Sequence, residues 1–533
     1  MTACRPPVLT IRAFPSDLAL MLGLLAATVL TGDLFFSLWL ADREAPMDCA
    51  FGQFMNCPKE AGAMFSGTLK YLALLLGPGP LIYYVATLRS VQRSMPLADA
   101  PFTGATPAVR NLVREAGLQR EPTVMVDPNA RAGAYVTGGF LWPPLLMLGP
   151  ELLAMREKDE HSHRIFEAVV RHEIAHLRSG DLRSYAVMTA LRWSNLLAGA
   201  FTAYVLALSP GELGGFPTLV RIVLLITLGE LIARAYLRFR EYHADLHAGL
   251  ADRDALMAAL DAQGEGTEAK LRSWLRHHPM GGERRGALEV PERILASSRG
   301  IVFLGGTTAG VLLATLQDML LRFYGPRDKF FSPFLCGLLV GLGLTMFLAF
   351  TLWRHHWYAG TTSVMRTVST AVLAAAGLLA GTWTALYTRG SSFGIFGFPL
   401  APSVLTALVV GMLLLCGWLT LLGAQWFRVD PHAERIPRFL RVAVPSACLL
   451  GGWLFVVLWT WAVLLRSATL LCSQPGHTCT SAAPELVTAF ITGRFGPGPV
   501  LVAVVFVALA VPLAIRSWNL RKPRADACEC LRT

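Results

Sequence analysis

Residues 171–176 read R-H-E-I-A-H. On a helix, His172 and His176 stand one turn apart on one face, so both imidazoles can ligate a single tetrahedral ion. Glu173, beside the first histidine, can reach a water held at that ion, which is the placement of a general base in a zinc peptidase. A catalytic zinc takes three protein ligands and keeps one position open. Residues 238–245, R-F-R-E-Y-H-A-D, offer Glu241 as the third ligand. Asp245, one turn on, can accept a hydrogen bond from a ligating imidazole and fix its tautomer. His243 and His247 on the same stretch are also four apart and could bind an ion. Glu241 is preferred, because that second pair has no adjacent glutamate and would leave the first pair a ligand short. The chemistry expected is peptide-bond hydrolysis with one Zn2+ per chain.

These residues need elements to hold them. Residues 150–180 are helical in pattern, as two helices around a polar turn at 156–163, with Phe166, Val169 and Val170 forming an apolar face ahead of the histidines. Residues 106–117 read as an amphipathic helix with Val109, Leu112 and Val113 on one side. Short strands are expected at 122–126, 133–139 and 144–148, bounded by Pro, Gly and Asn. Residues 241–296 are helical again.

The rest of the chain is a membrane sequence. Of 533 residues, 54% are hydrophobic and 16% charged, against about 25% charged in a soluble domain. A soluble enzyme, a disordered chain and a coiled coil are thereby excluded. About 20 mostly apolar residues cross a bilayer, and ten stretches qualify: 17–41, 66–88, 184–208, 218–236, 300–321, 332–353, 365–387, 402–427, 442–465 and 497–515. The first reads as an uncleaved anchor. Arg5, Arg12, Arg89, Arg93, Arg178, Arg183, Arg234, Arg238 and Arg240 flank the early stretches on one side, and that bias puts the N-terminus and residues 89–183 and 237–299 in the cytoplasm. Arg322, Arg327 and Lys329 run against it. The fold class expected is mainly α, a polytopic membrane protein with about ten transmembrane helices and a small cytoplasmic α+β zincin-like catalytic domain. Its parts are two N-terminal helices with an outer loop (1–88), a zinc peptidase domain interrupted by spans 184–208 and 218–236 (89–299), a six-helix membrane domain (300–516) and a cytoplasmic tail (517–533). Cys49 with Cys57 and Cys472 with Cys479 fall in outer loops, where disulfides survive. Gly306/Gly310, Gly337/Gly341 and Gly377/Gly381 are small-residue pairs suited to close helix packing. The net charge of +11 includes no long Lys/Arg block, so the partners expected are protein or peptide substrates and the lipid bilayer, not nucleic acid. The oligomeric state is not set by the sequence.

H-E-x-x-H, a membrane hairpin, then R-x-x-E-x-x-A-D resembles the HtpX and CAAX prenyl protease family of membrane zinc endopeptidases, of gluzincin type. Residues 129–139 with the following P-L-L-M-L-G-P-E-L-L, the L-R-S-G-D of residues 177–181, and His278-Pro279 with Glu283-Arg284 as H-P-x-x-x-E-R extend the resemblance over about residues 60–290. It implies zinc at His172, His176 and Glu241, base chemistry at Glu173, support from Asp245, and His278 near the site as an oxyanion donor. Leu237, where the family usually has serine, and the six stretches after residue 299 depart from the short bacterial members. A substrate would have to be extended, and the strand carrying Ala134, Tyr135, Val136 and Thr137 is the edge on which it would pair. That suits misfolded or membrane-associated proteins cleaved at the cytoplasmic face of the cell membrane. The competing readings are a signal-transducing sensor protease and a transporter-like membrane protein with a regulatory metal site.

Overall fold

The computed structural model describes residues 78–102, 104–118, 120–131, 133–138, 142–208, 215–262, 279–290, 299–324, 331–359, 363–384, 402–427, 441, 443–458 and 510. The stretches 17–41 and 497–515, the four loop cysteines and His278 lie outside the described residues, apart from residue 510. What is described is mostly helical, with one small sheet.

The sheet has four short strands, β1 (Met95–Pro96), β2 (Thr123–Val126), β3 (Ala134–Thr137) and β4 (Leu145–Leu148), in the order β1-β2-β4-β3. β2 and β4 run parallel, and β3 pairs antiparallel to β4 with Ala134 opposite Leu148. β4 is buried throughout, so it reads as a continuous apolar run, not an alternating one. β3 is left at the sheet edge. One sheet face packs on α2 (Ala105–Glu115), α3 (Pro150–Met155) and α4 (Glu160–Ser179) through Val109, Leu146, Leu148 and Phe166. The other packs on α1 (Pro78–Arg93) through Val91, Met125 and Met147.

α4 has a start and a stop written in its sequence. Asp159 caps it by accepting from the Ser162 backbone N–H at 2.8 Å, a cap that contributes about 1 kcal/mol. Gly180 closes it in the left-handed region (φ 73°), donating to the last carbonyls, where an L side chain would be strained. The polar turn expected at 156–163 is shorter than that: the break between α3 and α4 covers 156–159, and residues 160–163 already form the first turn of α4.

Asp181 follows at once and opens α5 (Asp181–Leu208), and α6 (Gly215–Gly249) returns. α6 is one continuous helix of 35 residues, about 52 Å at 1.5 Å per residue. It therefore carries the stretch expected as the fourth span straight into the site. α7 (Arg253–Ala262) and α8 (Gly281–Glu289) complete this part, with Ala168, Leu246, Leu256 and Leu288 in one core.

The remaining described helices are α9 (Arg299–Tyr324), α10 (Phe331–Ala359), α11 (Val364–Thr384), α12 (Pro402–Phe427) and α13 (Ala443–Leu458). Among the described residues three helical stretches are long and apolar enough to cross a membrane: Phe334–Arg354, Val364–Thr382 and Leu405–Gln425. They coincide with three of the ten stretches expected.

The glycine pairs sit at helix crossings. A Cβ at Gly306 or Gly310 would fall 2.3 Å from the Ala374 carbonyl or 2.1 Å from that of Leu378, and one at Gly377 would fall 2.2 Å from the Phe303 carbonyl. α9 and α11 thus touch backbone to backbone. Gly337 meets the Val456 backbone of α13, and Gly341 makes room for the Phe455 side chain. Gly377→Val should therefore cost about 1–3 kcal/mol through overpacking and lower the melting temperature of the detergent-solubilised protein. Gly343→Ala, where a Cβ meets nothing within 4 Å, should leave it unchanged. Equal melting curves for the two variants would remove the packing role.

Candidate metal centre

α4 presents His172, Glu173 and His176 on its buried face, each no more than 8% exposed. α6 crosses that face and brings Glu241 to it. The His172 and His176 Nε2 atoms are 3.3 Å apart. Glu241 oxygens lie 3.5 Å from the first and 3.7 Å from the second. Ligands at tetrahedral angles and zinc bond lengths of roughly 2.0–2.1 Å are about 3.3–3.4 Å from one another. The three donor atoms are thus spaced as one ion requires, and theirs is the only such group among the described residues. His243 and His247, in ring contact at 4.7 Å, form no such group.

The imidazoles are held in the tautomer a metal needs. His172 turns Nδ1 to Asp245 at 2.9 Å, and His176 turns Nδ1 to Asp181 at 2.8 Å. Both Nε2 atoms are left pointing at the same place. Each carboxylate is in turn gripped by an arginine: Arg284 holds Asp245 through two nitrogens, and Arg240 pairs with Asp181. Asp245 takes the position its spacing suggested. Asp181 and Arg284 stood in the L-R-S-G-D and H-P-x-x-x-E-R runs with no role assigned to them, and Arg240 counted only toward the charge bias. The signal available for Asp181 was the L-R-S-G-D run, in which a glycine stop is followed by an acid one turn past His176. For Arg284 it was the H-P-x-x-x-E-R element, and for Arg240 no local pattern points to the site.

The electrostatics suit a cation. Burial works against charging His172, but Asp245 and Glu241 outweigh it, so its pKa is pushed up to about 10. Burial and the charge on His172 push His176 down to about 3. Burial alone would raise Asp245, yet Arg284 and His172 hold it below the usual carboxylate range.

The site opens into a cavity of about 840 Å³ lined by Glu173, the three ligand residues, Tyr185, Trp193, Pro279 and five consecutive residues of the β3 segment, Gly133 to Thr137. Successive strand residues face opposite sides, so all five can line one cavity only if it runs along the strand edge. Tyr135 also donates to Asp127 at 2.5 Å, tying β3 to the loop after β2.

Residues 106–292 match the profile of Peptidase family M48. The segment is an M48 peptidase domain. The chain is similar to Protease HtpX of Aeromonas hydrophila subsp. hydrophila, at 26% identity over 33% of this chain and 63% of that protein. It is similar to the Protease HtpX homolog of Bacillus pumilus at 31% identity, over 28% and 52%, and to Protease HtpX of Vibrio parahaemolyticus at 29%, over 28% and 54%. The chain thus spans about half to just under two thirds of the length of these curated relatives. No solved structure matches it. The matched segment of the M48 domain contains the whole three-residue group and both supporting carboxylates.

Two measurements follow for the M48 domain. Without metal, His172 holds its proton at neutral pH, and an incoming ion must displace it. Zinc affinity of the metal-free protein should therefore rise about tenfold per pH unit from neutrality until pH approaches about 10. Competition titration against a chromophoric chelator reads this directly, and a pH-independent affinity counts against it. Asp181→Asn should weaken zinc binding roughly 10- to 100-fold without loss of helix content by circular dichroism; unchanged affinity would deny Asp181 its orienting role.

Proposed function

We propose that this chain is a membrane-embedded, zinc-dependent endopeptidase that hydrolyses extended segments of misfolded or membrane-associated proteins at the cytoplasmic face. The observation that carries the reading is the convergence of His172, His176 and Glu241 beside Glu173 in a cavity that runs along the β3 edge. Zinc held by those three residues supplies Lewis acidity toward a peptide carbonyl and a water. Glu173, on the same buried helix face, takes the proton of the attacking water and delivers it to the leaving amine. Ala134, Tyr135, Val136 and Thr137 offer backbone groups on which an extended substrate can pair, aligning one amide with the ion. His278 is assigned to the oxyanion. Support for that comes from its neighbour Pro279, which lines the cavity.

The topology proposed has ten spans, with α5 and α6 as a membrane hairpin and the M48 domain on the cytoplasmic side. Leu197, Phe201, Tyr204 and Val223 are exposed along that hairpin, as lipid-facing residues would be, and the arginine bias supports the side. Disulfides Cys49–Cys57 and Cys472–Cys479 are proposed for the outer loops.

Glu173→Gln tests the mechanism. Proteolysis of a denatured membrane protein should fall by roughly 10²- to 10⁴-fold, while elemental analysis still finds one zinc per chain. A variant that keeps full activity would strip Glu173 of its role as base.

A further inference from the structure

Four consecutive residues of α6 are each met by a different partner. Arg238 reaches Glu283 of α8 at 2.7 Å. Arg240 pairs with Asp181 at the start of α5. Glu241 faces the two imidazoles. The fourth, Phe239, is met from outside the peptidase segment. The guanidinium carbon of Arg354, on α10, sits 5.2 Å from the centre of its ring.

Arg354 is an unusual residue to find there. It closes the apolar stretch Phe334–Arg354 and is only 6% exposed. A buried guanidinium is costly unless its surroundings hold the charge, and a cation within about 6 Å of an aromatic face is held by the ring's quadrupole. The backbone around it is fixed. Trp353, fully buried, donates its indole N–H to the Leu419 carbonyl of α12 at 2.9 Å, and the His356 ring lies where a Cβ on Gly423 would meet it at 3.3 Å. The end of α10 is therefore locked into the apolar bundle, and Arg354 projects from that locked end onto α6.

The helical period supplies the mechanism. Residues two apart on a helix point about 160° from each other. Phe239 thus lies on the back of α6, opposite Glu241. A rigid contact on the back of a helix sets how far the front reaches. We propose that Arg354 is a positioning residue, through which the C-terminal apolar bundle presses Phe239 and holds Glu241 at coordinating distance from His172 and His176. The proposal rests on the metal reading of those three residues, and it gives helices beyond residue 299 a part in the site.

The test uses full-length protein in detergent, stripped of metal and titrated with Co2+, whose visible absorption reports tetrahedral coordination. Arg354→Met removes the cation at similar length, Phe239→Leu removes the ring and keeps an apolar side chain, and Arg354→Lys keeps a cation. Arg354→Met and Phe239→Leu should each weaken Co2+ binding about tenfold and change the absorption band, the double variant should be no worse than either, and Arg354→Lys should recover most of the affinity. Phe239→Leu keeps the question answerable should Arg354→Met fail to fold. Wild-type affinity and spectrum in Phe239→Leu and Arg354→Met, even with a lowered melting temperature, would overturn the proposal and leave the contact as packing alone. Wild-type protein that takes up no Co2+, or takes it up equally after His172→Ala, would overturn the metal reading and this proposal with it.

Discussion

The arrangement at the α4–α6 crossing is a problem of charge before it is one of catalysis. Around the two imidazoles stand four carboxylates, Glu173, Asp181, Glu241 and Asp245, and two guanidiniums, Arg240 and Arg284. Among the described residues the local excess is two negative charges when both histidines are neutral. Largely buried carboxylates cannot stay ionised without compensation, and a divalent cation held by His172, His176 and Glu241 would supply what is missing. Without the ion, protonation of His172 offsets half of that excess, which is why its pKa is held so high. The fitness of the site for a cation and the raised His172 pKa express one electrostatic constraint.

Bringing Glu241 to that point from 65 residues beyond His176 is a matter of length. Gly180 lets the chain pass from α4 into α5 with no intervening loop. α5 then leads away for 28 residues. An equal number of residues counted along α6 from Gly215 ends at Tyr242, one residue past Glu241. Two helices of equal rise bring the chain back to the level at which it left, and the pairing of Arg240 with Asp181 is the registration mark. The hairpin, whatever surrounds it, works as a ruler. Because α6 is unbroken, anything that shifts it along its axis or rotates it moves the ligand, so contacts on its far side matter to the site.

Which features could be read from the chain follows from the range of the forces behind them. The histidine–glutamate–histidine spacing, the Gly180 end of α4, the strand segments and the glycine pairs are local patterns, and each has a counterpart in the structure. Asp245 was also legible, since it lies one turn from Glu241. The partners of Arg284, Arg240 and Arg354 were not, because each lies 39, 59 or 115 positions away. Nor did composition indicate that the fourth apolar stretch and the ligand-bearing segment are one helix; hydropathy changes at their border while the backbone does not. The His243/His247 alternative failed for a reason of orientation. Both lie on α6, and no third donor on another element reaches them among the described residues.

The β3 edge sets a further limit on what such a site can cleave. An open strand edge invites unwanted pairing, and this one is kept to four residues between Gly133 and Gly138. It is pinned from one face by α1, where Tyr83 donates to the Gly138 carbonyl at 2.9 Å and Ser90 meets Tyr135. On the proposed reading, a guest segment must already have given up its own backbone hydrogen bonds to pair there. Selection would then fall on local unfolding before it fell on side chains, because strand pairing rewards any sequence able to extend. On the same reading the chemistry of α4 and α6 would decide that a bond is cut. The β3 edge, tied down by α1, would decide which conformations present one.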